Sequence, residues 1–283
     1  MIAFITRTLV MTVALAVATM ISGGATQATF GDLGIPLPES NAVPWQVVSW
    51  VIMAATLMWF AARARIAGWR LAVSLAVLVY GICSFNSLIE ARFFGIMTSR
   101  QFAGVMTMSA LSAVLLGLAL VPVVRGMAPA SRSDEWTDRV SIGRVAAGSI
   151  AYVVVYFAAG IVVFPFVEAF YAQFTMPNGL HVIGMQLFIR GPVFVALMLL
   201  LVRISGASRW ETILMTGGAL SLLGGVAMLI VPNGFIPDFA RWPHFVEVVS
   251  SNLAYGCFLG WLLTRKLAPS TAPAALSPAG AGS

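Results

Sequence analysis

Charge is what this chain has least of. Only 9% of its 283 residues are Asp, Glu, Lys or Arg, and 60% are hydrophobic. Soluble globular domains carry about 25% charged residues, so that class is excluded. A mean hydropathy of +0.94 points instead to a polytopic helical membrane protein, whose core is the set of faces where its helices meet. Lysine is nearly absent: of the 16 basic residues all but Lys266 are arginine. They sit in short loops, which is the pattern of membrane orientation. The net charge of +6 is therefore not read as a nucleic-acid-binding surface. Cysteine is scarce as well. Cys83 and Cys257 both fall in apolar runs, so no disulfide framework or CxxC metal site is expected, and two buried thiols are the simpler reading.

What is present is a series of apolar runs long enough to cross a bilayer. Residues 1–22 carry Arg7 ahead of a short apolar run and then SGGATQA. That pattern fits a retained first helix, the preferred reading, or a cleaved signal peptide. Residues 23–44 read as a Gly/Pro-rich outer loop, with Asn41 placed to cap the next helix. Residues 45–264 hold seven further spans, near 45–62, 71–90, 102–124, 145–167, 182–202, 210–231 and 245–264. Ser208 and Glu211 have capping-box spacing at the start of the seventh, and Pro232 ends it. Residues 265–283 are Ala/Pro/Ser low-complexity and read as a disordered tail. The fold class is thus all-α, a transmembrane bundle of eight helices, or seven if the first is removed.

Orientation follows from the basic residues. One set of helix ends holds Arg7, Arg63, Arg65, Arg70, Arg125, Arg132, Arg139, Arg144, Arg203, Arg209, Arg265 and Lys266; the other holds only Arg92, Arg100 and Arg241. This bias places both termini in the cytoplasm for eight helices, and a bacterial inner (cytoplasmic) membrane is the expected location. The longest cytoplasmic loop, with SRSDEWTDR, mixes both charge signs and reads as a solvated segment. Three segments echo one another: SLIEARFF, PFVEAFYA and HFVEVVSS. They fit either duplication of a helix pair, common in transporters, or chance.

The sixth span is the one that demands an explanation. HVIGMQLFIRGPVFVALMLLLVR carries Arg190 near its middle, and the uncharged run after it spans only ~18 Å against a hydrocarbon core of ~30 Å. The crossing must include the arginine. A cation at that depth costs roughly 3 kcal/mol unless it meets an anion or water. Asp32, Glu39, Asp134, Glu135, Asp138, Glu211 and Asp238 belong to loops or helix starts, which leaves Glu90, Glu168 and Glu247, all toward the outer surface. His181, Gln186, His244 and Asn252 enter from that side too, and the inner halves of the spans carry no ionisable residue.

Spacing groups these residues further. Asn86 and Glu90 are i,i+4, as are Gln186 and Arg190; His244 and Glu247 are i,i+3. Asn252, Gly256 and Gly260 repeat every four residues, and the GxxxG lets two backbones approach closely. Simpler readings stand beside this one. Each glutamate alone can reach headgroups, His181 can be a surface histidine, and Arg190 can form a purely structural ion pair with Glu168 or Glu247. Tyr171, Trp242 and Trp261 fit interfacial aromatic belts.

Three functions remain open. The first is binding or transport of a small solute or protons at Asn86, Glu90, Glu168, Gln186, Arg190, His244, Glu247 and Asn252, and this is preferred. The second is an intramembrane enzyme opening to the outer leaflet, with a metal held by histidines and carboxylates or Glu247 as general base. No HExxH motif is present, and neither are the paired glutamates and His-x-x-x-Asn of CAAX-type intramembrane proteases. The third is a structural or accessory subunit. No cofactor or bound metal is called for, and the expected partners are membrane lipids and a small solute or proton.

SFNSLIEARFF, IRGPVF and IVPNGFIPDFARWPHFVEVVSSNLAYGCFLGWLL carry a resemblance. In these stretches the chain resembles a group of uncharacterised bacterial multi-helix integral membrane proteins. In that group an N-x-x-x-E-A element ends an early helix and an R-G pair lies in a later one. A P-N…H-x-x-E…S-N…G-x-x-x-G-W run closes the protein. The resemblance implies the helical fold and weight on Asn86, Glu90, Arg190, His244, Glu247 and Asn252. PFVEAFYA departs from the aromatic- and glutamine-rich form of the group.

Overall fold

A computed structural model describes residues 1–131 and 141–265. Eight helices in it are long and apolar enough to cross a membrane: α1 (Ile2–Phe30), α2 (Val43–Ala62), α3 (Gly68–Phe93), α4 (Ser99–Val124), α5 (Ile142–Tyr171), α6 (Gly179–Ile204), α7 (Arg209–Leu229) and α8 (Asp238–Leu263). The protein is an all-α, multi-pass membrane bundle. The expected loop around SRSDEWTDR with Arg132, Asp134, Glu135, Asp138 and Arg139, and the tail from Lys266 onward, lie outside the described residues.

Local chemistry sets the helix starts. The Thr98 hydroxyl and the Gln101 side chain form a complete capping box ahead of α4. Ser141, Asn178 and Ser208 each accept the backbone N–H of the third residue of α5, α6 and α7, so a first-turn donor is satisfied where no intrahelical carbonyl exists. Two bounds differ most from those expected from hydropathy. α1 runs on to Phe30 and shortens the following loop, because Gly23 and Gly24 are tolerated inside a helix already held by its apolar face. α8 starts at Asp238 and runs through Pro243, so His244 lies well inside it. A proline there removes one backbone donor, a defect that transmembrane helices accommodate when neighbours satisfy the freed group.

The most buried spans are α3, α6 and α7; α4 and α5 are the least buried. The three buried spans are also the ones that widen into π-helical turns, at Tyr80–Phe85, Gln186–Arg190 and Ala219–Val226. A wide turn misaligns backbone carbonyls, which in a membrane interior need other partners. Neighbouring side chains supply them around α7. Asn252 Nδ2 donates to Leu220 O (3.1 Å), Cys83 Sγ to Leu223 O (3.4 Å) and Ser49 Oγ to Ala227 O (2.7 Å). Cys83 and Cys257 are both free thiols.

Loop contacts lock each end of the bundle. At the arginine-rich end, Ala64 pairs with Ser205 in an isolated bridge, Arg65 N donates to Ile204 O (2.8 Å), Gly206 N to Arg63 O (2.7 Å) and Ala130 N to Ala64 O (2.8 Å). Arg63 and Glu211 form an ion pair at 2.5 Å. At the opposite end Arg241, 2% exposed, pairs with Asp238 and donates to Leu229 O and Ile230 O. It thereby satisfies the last carbonyls of α7, a stabilising arrangement at a helix C-terminus.

The expected close approach at GxxxG is real, and its partner is α7. A Cβ added at Gly256 would stand 2.5 Å from Thr216 O and 2.8 Å from Gly217 Cα, and one at Gly260 2.8 Å from Ile213 Cα. Backbone cannot yield as a side chain can. Gly256→Ala should therefore destabilise the bundle by about 1–3 kcal/mol, the range for overpacking. Gly160→Ala, where nothing lies within 4 Å, should be neutral or stabilising. Thermal unfolding of the two variants in detergent checks the contrast.

Candidate functional site

The sequence around Arg190 builds its own distortion. Pro192 has no N–H, so the carbonyl four residues earlier loses its helical partner, and the turn from Gln186 to Arg190 widens, with Gly191 N reaching back to Gln186 O. Gly191 also brings α5 close. A Cβ there would stand 2.9 Å from Gln186 O and 2.9 Å from both Cα and Cβ of Ser149. The Arg-Gly-Pro triplet thus places a cation, a bulge and a helix crossing at one level of the membrane.

Arg190 is 6% exposed and forms an ion pair with Glu90 of α3, from Nη1 to Oε1. The same Nη1 also donates to Gln186 Oε1 at 3.2 Å. The rings of Tyr152 and Phe194 lie 5.4 and 5.8 Å from the guanidinium carbon, within the distance at which an aromatic face attracts a cation. The partner carboxylate keeps a 25% exposed side chain. The buried cation is therefore met by Glu90, and not by Glu168 or Glu247, the two partners expected for a structural ion pair.

Several buried polar atoms around this pair have no hydrogen-bond partner: Arg190 Nε, Gln186 Nε2, Ser149 Oγ, and both Asn86 Nδ2 and Oδ1. Asn86 and Gln186 are fully buried, and Asn86 lies one turn below Glu90 on the same face of α3. Native interiors satisfy nearly all such atoms. Among the described residues Thr26 Oγ1 and Arg144 Nη1 are likewise unpartnered elsewhere, but five of the seven such atoms belong to Asn86, Ser149, Gln186 and Arg190.

A second polar chain lies on α8. His244 Nδ1 meets Glu247 Oε2 at 2.8 Å, and His244 Nε2 meets the Tyr171 hydroxyl at 3.2 Å. The His244 and Glu247 side chains are 12% and 15% exposed, and the Tyr171 ring stands edge-on to the imidazole, 5.7 Å between centroids. Both imidazole nitrogens are engaged, so the ring can pass a proton between a carboxylate and a phenol. The tyrosines of α5 reach both clusters: Tyr152 lies beside Arg190 with Tyr156 next to it, 6.1 Å between ring centroids, and Tyr171 meets His244.

Placement of the sequence candidates divides into three. Glu90, Gln186 and Arg190 come together, with Asn86 buried on the same face of α3, and His244 joins Glu247. Glu168 stands apart: it is exposed on α5, because the rotation of that helix turns Val167 and Phe170 inward instead. Asn252 is spent on the backbone of α7. The echo between SLIEARFF and PFVEAFYA therefore does not extend to equivalent glutamates. His181 is exposed. Tyr171, expected in an aromatic belt, is hydrogen-bonded to His244. Ser149, Tyr152 and Tyr156 were not singled out by spacing; the available signal is two tyrosines at i,i+4 in the middle of an otherwise apolar span. Among the described residues no three of His, Cys, Asp or Glu converge as a metal-ligand set.

The site belongs to a polytopic helical membrane protein with intramembrane ion pairs. No protein-family model matches the chain, no curated protein matches it in sequence and no solved structure matches it in fold.

The Arg190–Glu90 pair has an asymmetric failure mode. Glu90 left alone can protonate, whereas a guanidinium cannot lose its charge. Glu90→Leu should therefore destabilise the protein more than Arg190→Met, on the order of 3 kcal/mol for the stranded cation, and the double variant should recover part of that loss. Unfolding of the three variants in one detergent measures it.

Proposed function

We propose that this is a bacterial inner-membrane protein with both termini in the cytoplasm, and that it binds a small polar solute, with proton-linked transport as the outcome. The binding site is the outward-facing Arg190–Glu90 cluster. The observation that carries this reading is the set of unpartnered buried polar atoms gathered at a fixed intramembrane charge. A purely structural ion pair calls for satisfied neighbours; here Asn86, Gln186, Ser149 and Arg190 Nε offer hydrogen bonds that the protein does not use.

The surroundings support proton linkage. Glu90 and Glu247 are partly exposed carboxylates on the same side of the bundle, and His244 connects Glu247 to Tyr171. On the arginine-rich side of Arg190 the helix buries Leu197, Met198 and Leu201, an apolar seal of the kind that an outward-facing state of an alternating-access protein has beneath its site. One arrangement favours the enzyme reading: the Glu247–His244–Tyr171 chain orients an imidazole between a carboxylate and a hydroxyl, as a general base is oriented.

A solute panel tests the binding reading directly. The full-length protein in lipid nanodiscs is heated with sugars, amines, amino acids, monocarboxylates and amides at pH 5.5, 6.5 and 7.5. At least one class should stabilise it in a pH-dependent way, by roughly 2–3 kcal/mol at a hundredfold excess over Kd. Arg190→Met should abolish the shift, while Glu168→Gln, an exposed position, should retain it. A shift that survives Arg190→Met, or no shift with any class, defeats the proposal.

A further inference from the structure

Resting on that reading, the unused bonds at the site specify a ligand class. We infer that Arg190 holds a small monocarboxylate on the Nε–Nη2 edge of its guanidinium, and that Glu90 takes up one proton for each anion bound.

Both hydrogen bonds of Arg190 leave from Nη1, to Glu90 and Gln186, and Nε is buried without a partner. The rings of Tyr152 and Phe194 lie 5.4 and 5.8 Å from the guanidinium carbon, and the in-plane edge opposite Nη1, which carries Nε, is the one without a protein partner. Nε and Nη2 present two parallel N–H groups there, the geometry that matches the two oxygens of a carboxylate. The other unpartnered atoms reinforce this polarity. Gln186 Nε2 and Asn86 Nδ2 are donors, the Ser149 hydroxyl can donate, and Asn86 Oδ1 alone is only an acceptor. The site has an excess of donors, so its complement is rich in acceptors.

Charge fixes the coupling. Arg190 is already neutralised by Glu90, so a second anion would leave one uncompensated negative charge among apolar residues, an expensive state. Protonation of Glu90 removes it: R–COO⁻ and H⁺ add to the Arg190⁺·Glu90⁻ pair to give R–COO⁻·Arg190⁺·Glu90–COOH, with no bond broken and no net charge gained. The groups around Glu90 fit this assignment. α6 contributes Arg190, and α5 the neutral phenols Tyr152, Tyr156 and Tyr171. α8 contributes His244 and Glu247 through Tyr171. On α4, Arg100 is turned away, donating to Phe30 O. With one buried cation, the site suits a monoanion better than a phosphate or sulfate dianion.

The test is isothermal titration of the full-length protein in nanodiscs with sodium acetate, sodium benzoate and acetamide, in two non-carboxylate buffers of different ionisation heat. Acetate or benzoate should bind and acetamide, nearly the same shape without the charge, should not. The heat should vary between buffers as uptake of about one proton requires, and affinity should fall about tenfold per pH unit on the alkaline side. Glu90→Gln should bind acetate without proton uptake and with a flat pH profile. Arg190→Lys keeps the charge but loses the fork, and should weaken binding at least about tenfold. If either variant does not fold, the wild-type buffer dependence decides alone. Equal binding of acetamide, or anion binding without proton uptake, overturns the inference. If no carboxylate binds but another class in the solute panel stabilises the protein through Arg190, the carboxylate assignment fails and the site stands. If nothing binds, both fail.

Discussion

A guanidinium inside a membrane cannot neutralise itself, and the bundle is arranged around that fact. A buried carboxylate can take a proton and a buried lysine can lose one, but arginine stays charged at any accessible pH. Arg190 therefore requires an anion from another helix, which ties α6 to α3 through Glu90. It also requires its remaining surface to be covered by groups that tolerate a cation, which brings Tyr152 of α5 and Phe194 against it. The close crossing that allows this depends on Gly191, where a side chain would collide with Ser149. Small residues support the same pairing: a Cβ at Gly81 of α3 would stand 2.6 Å from Leu197 of α6, and one at Gly148 of α5 2.5 Å from Val195.

The same interior polarity explains the π-helical turns. They occur in the three most buried spans, where carbonyls freed by a wide turn are met by side chains from neighbouring helices. Around α7, Asn252, Cys83 and Ser49 do this. The turn in α6 differs, because it holds Gln186 and Arg190, and here the surrounding side chains are left with bonds unmade. Of these three distortions, the one in α7 is met by side chains of neighbouring helices, whereas the one in α6 lies among unmade bonds beside a charge. Wide turns recur at functional sites; the unmade bonds, rather than the turn itself, single out the one at Arg190.

Much of this was legible in the sequence, and for definite reasons. Hydropathy gives the eight crossings because membrane spans are long compared with any uncertainty in their ends. Arg190 is conspicuous because no reading of its span excludes it. Which glutamate answers it is a different matter: Glu90 and Glu168 stand in similar local sequence, and the choice depends on rotation about a helix axis, which tertiary packing sets. Asn252 resembles a site residue because a polar amide in an apolar helix must bond to something, and only the coordinates show that its partner is a backbone carbonyl. Tyr152 and Tyr156 are hard to pick out from sequence for the converse reason. A tyrosine is apolar enough to fit the span and polar enough to fit its edge, so its presence alone carries little information.

The two polar clusters differ in what they can do with a proton, and that difference orders the site. Arg190 supplies a permanent charge and so can hold a ligand or a carboxylate in place, but it cannot release anything by itself. Glu90, Glu247 and His244 are ionisable groups less buried than Arg190, at 25%, 15% and 12% side-chain exposure against 7%, and His244 carries the Tyr171 hydroxyl on its other nitrogen. In the proposed reading Glu90, paired directly with the cation, is the group that changes charge when an anion arrives, because a guanidinium cannot.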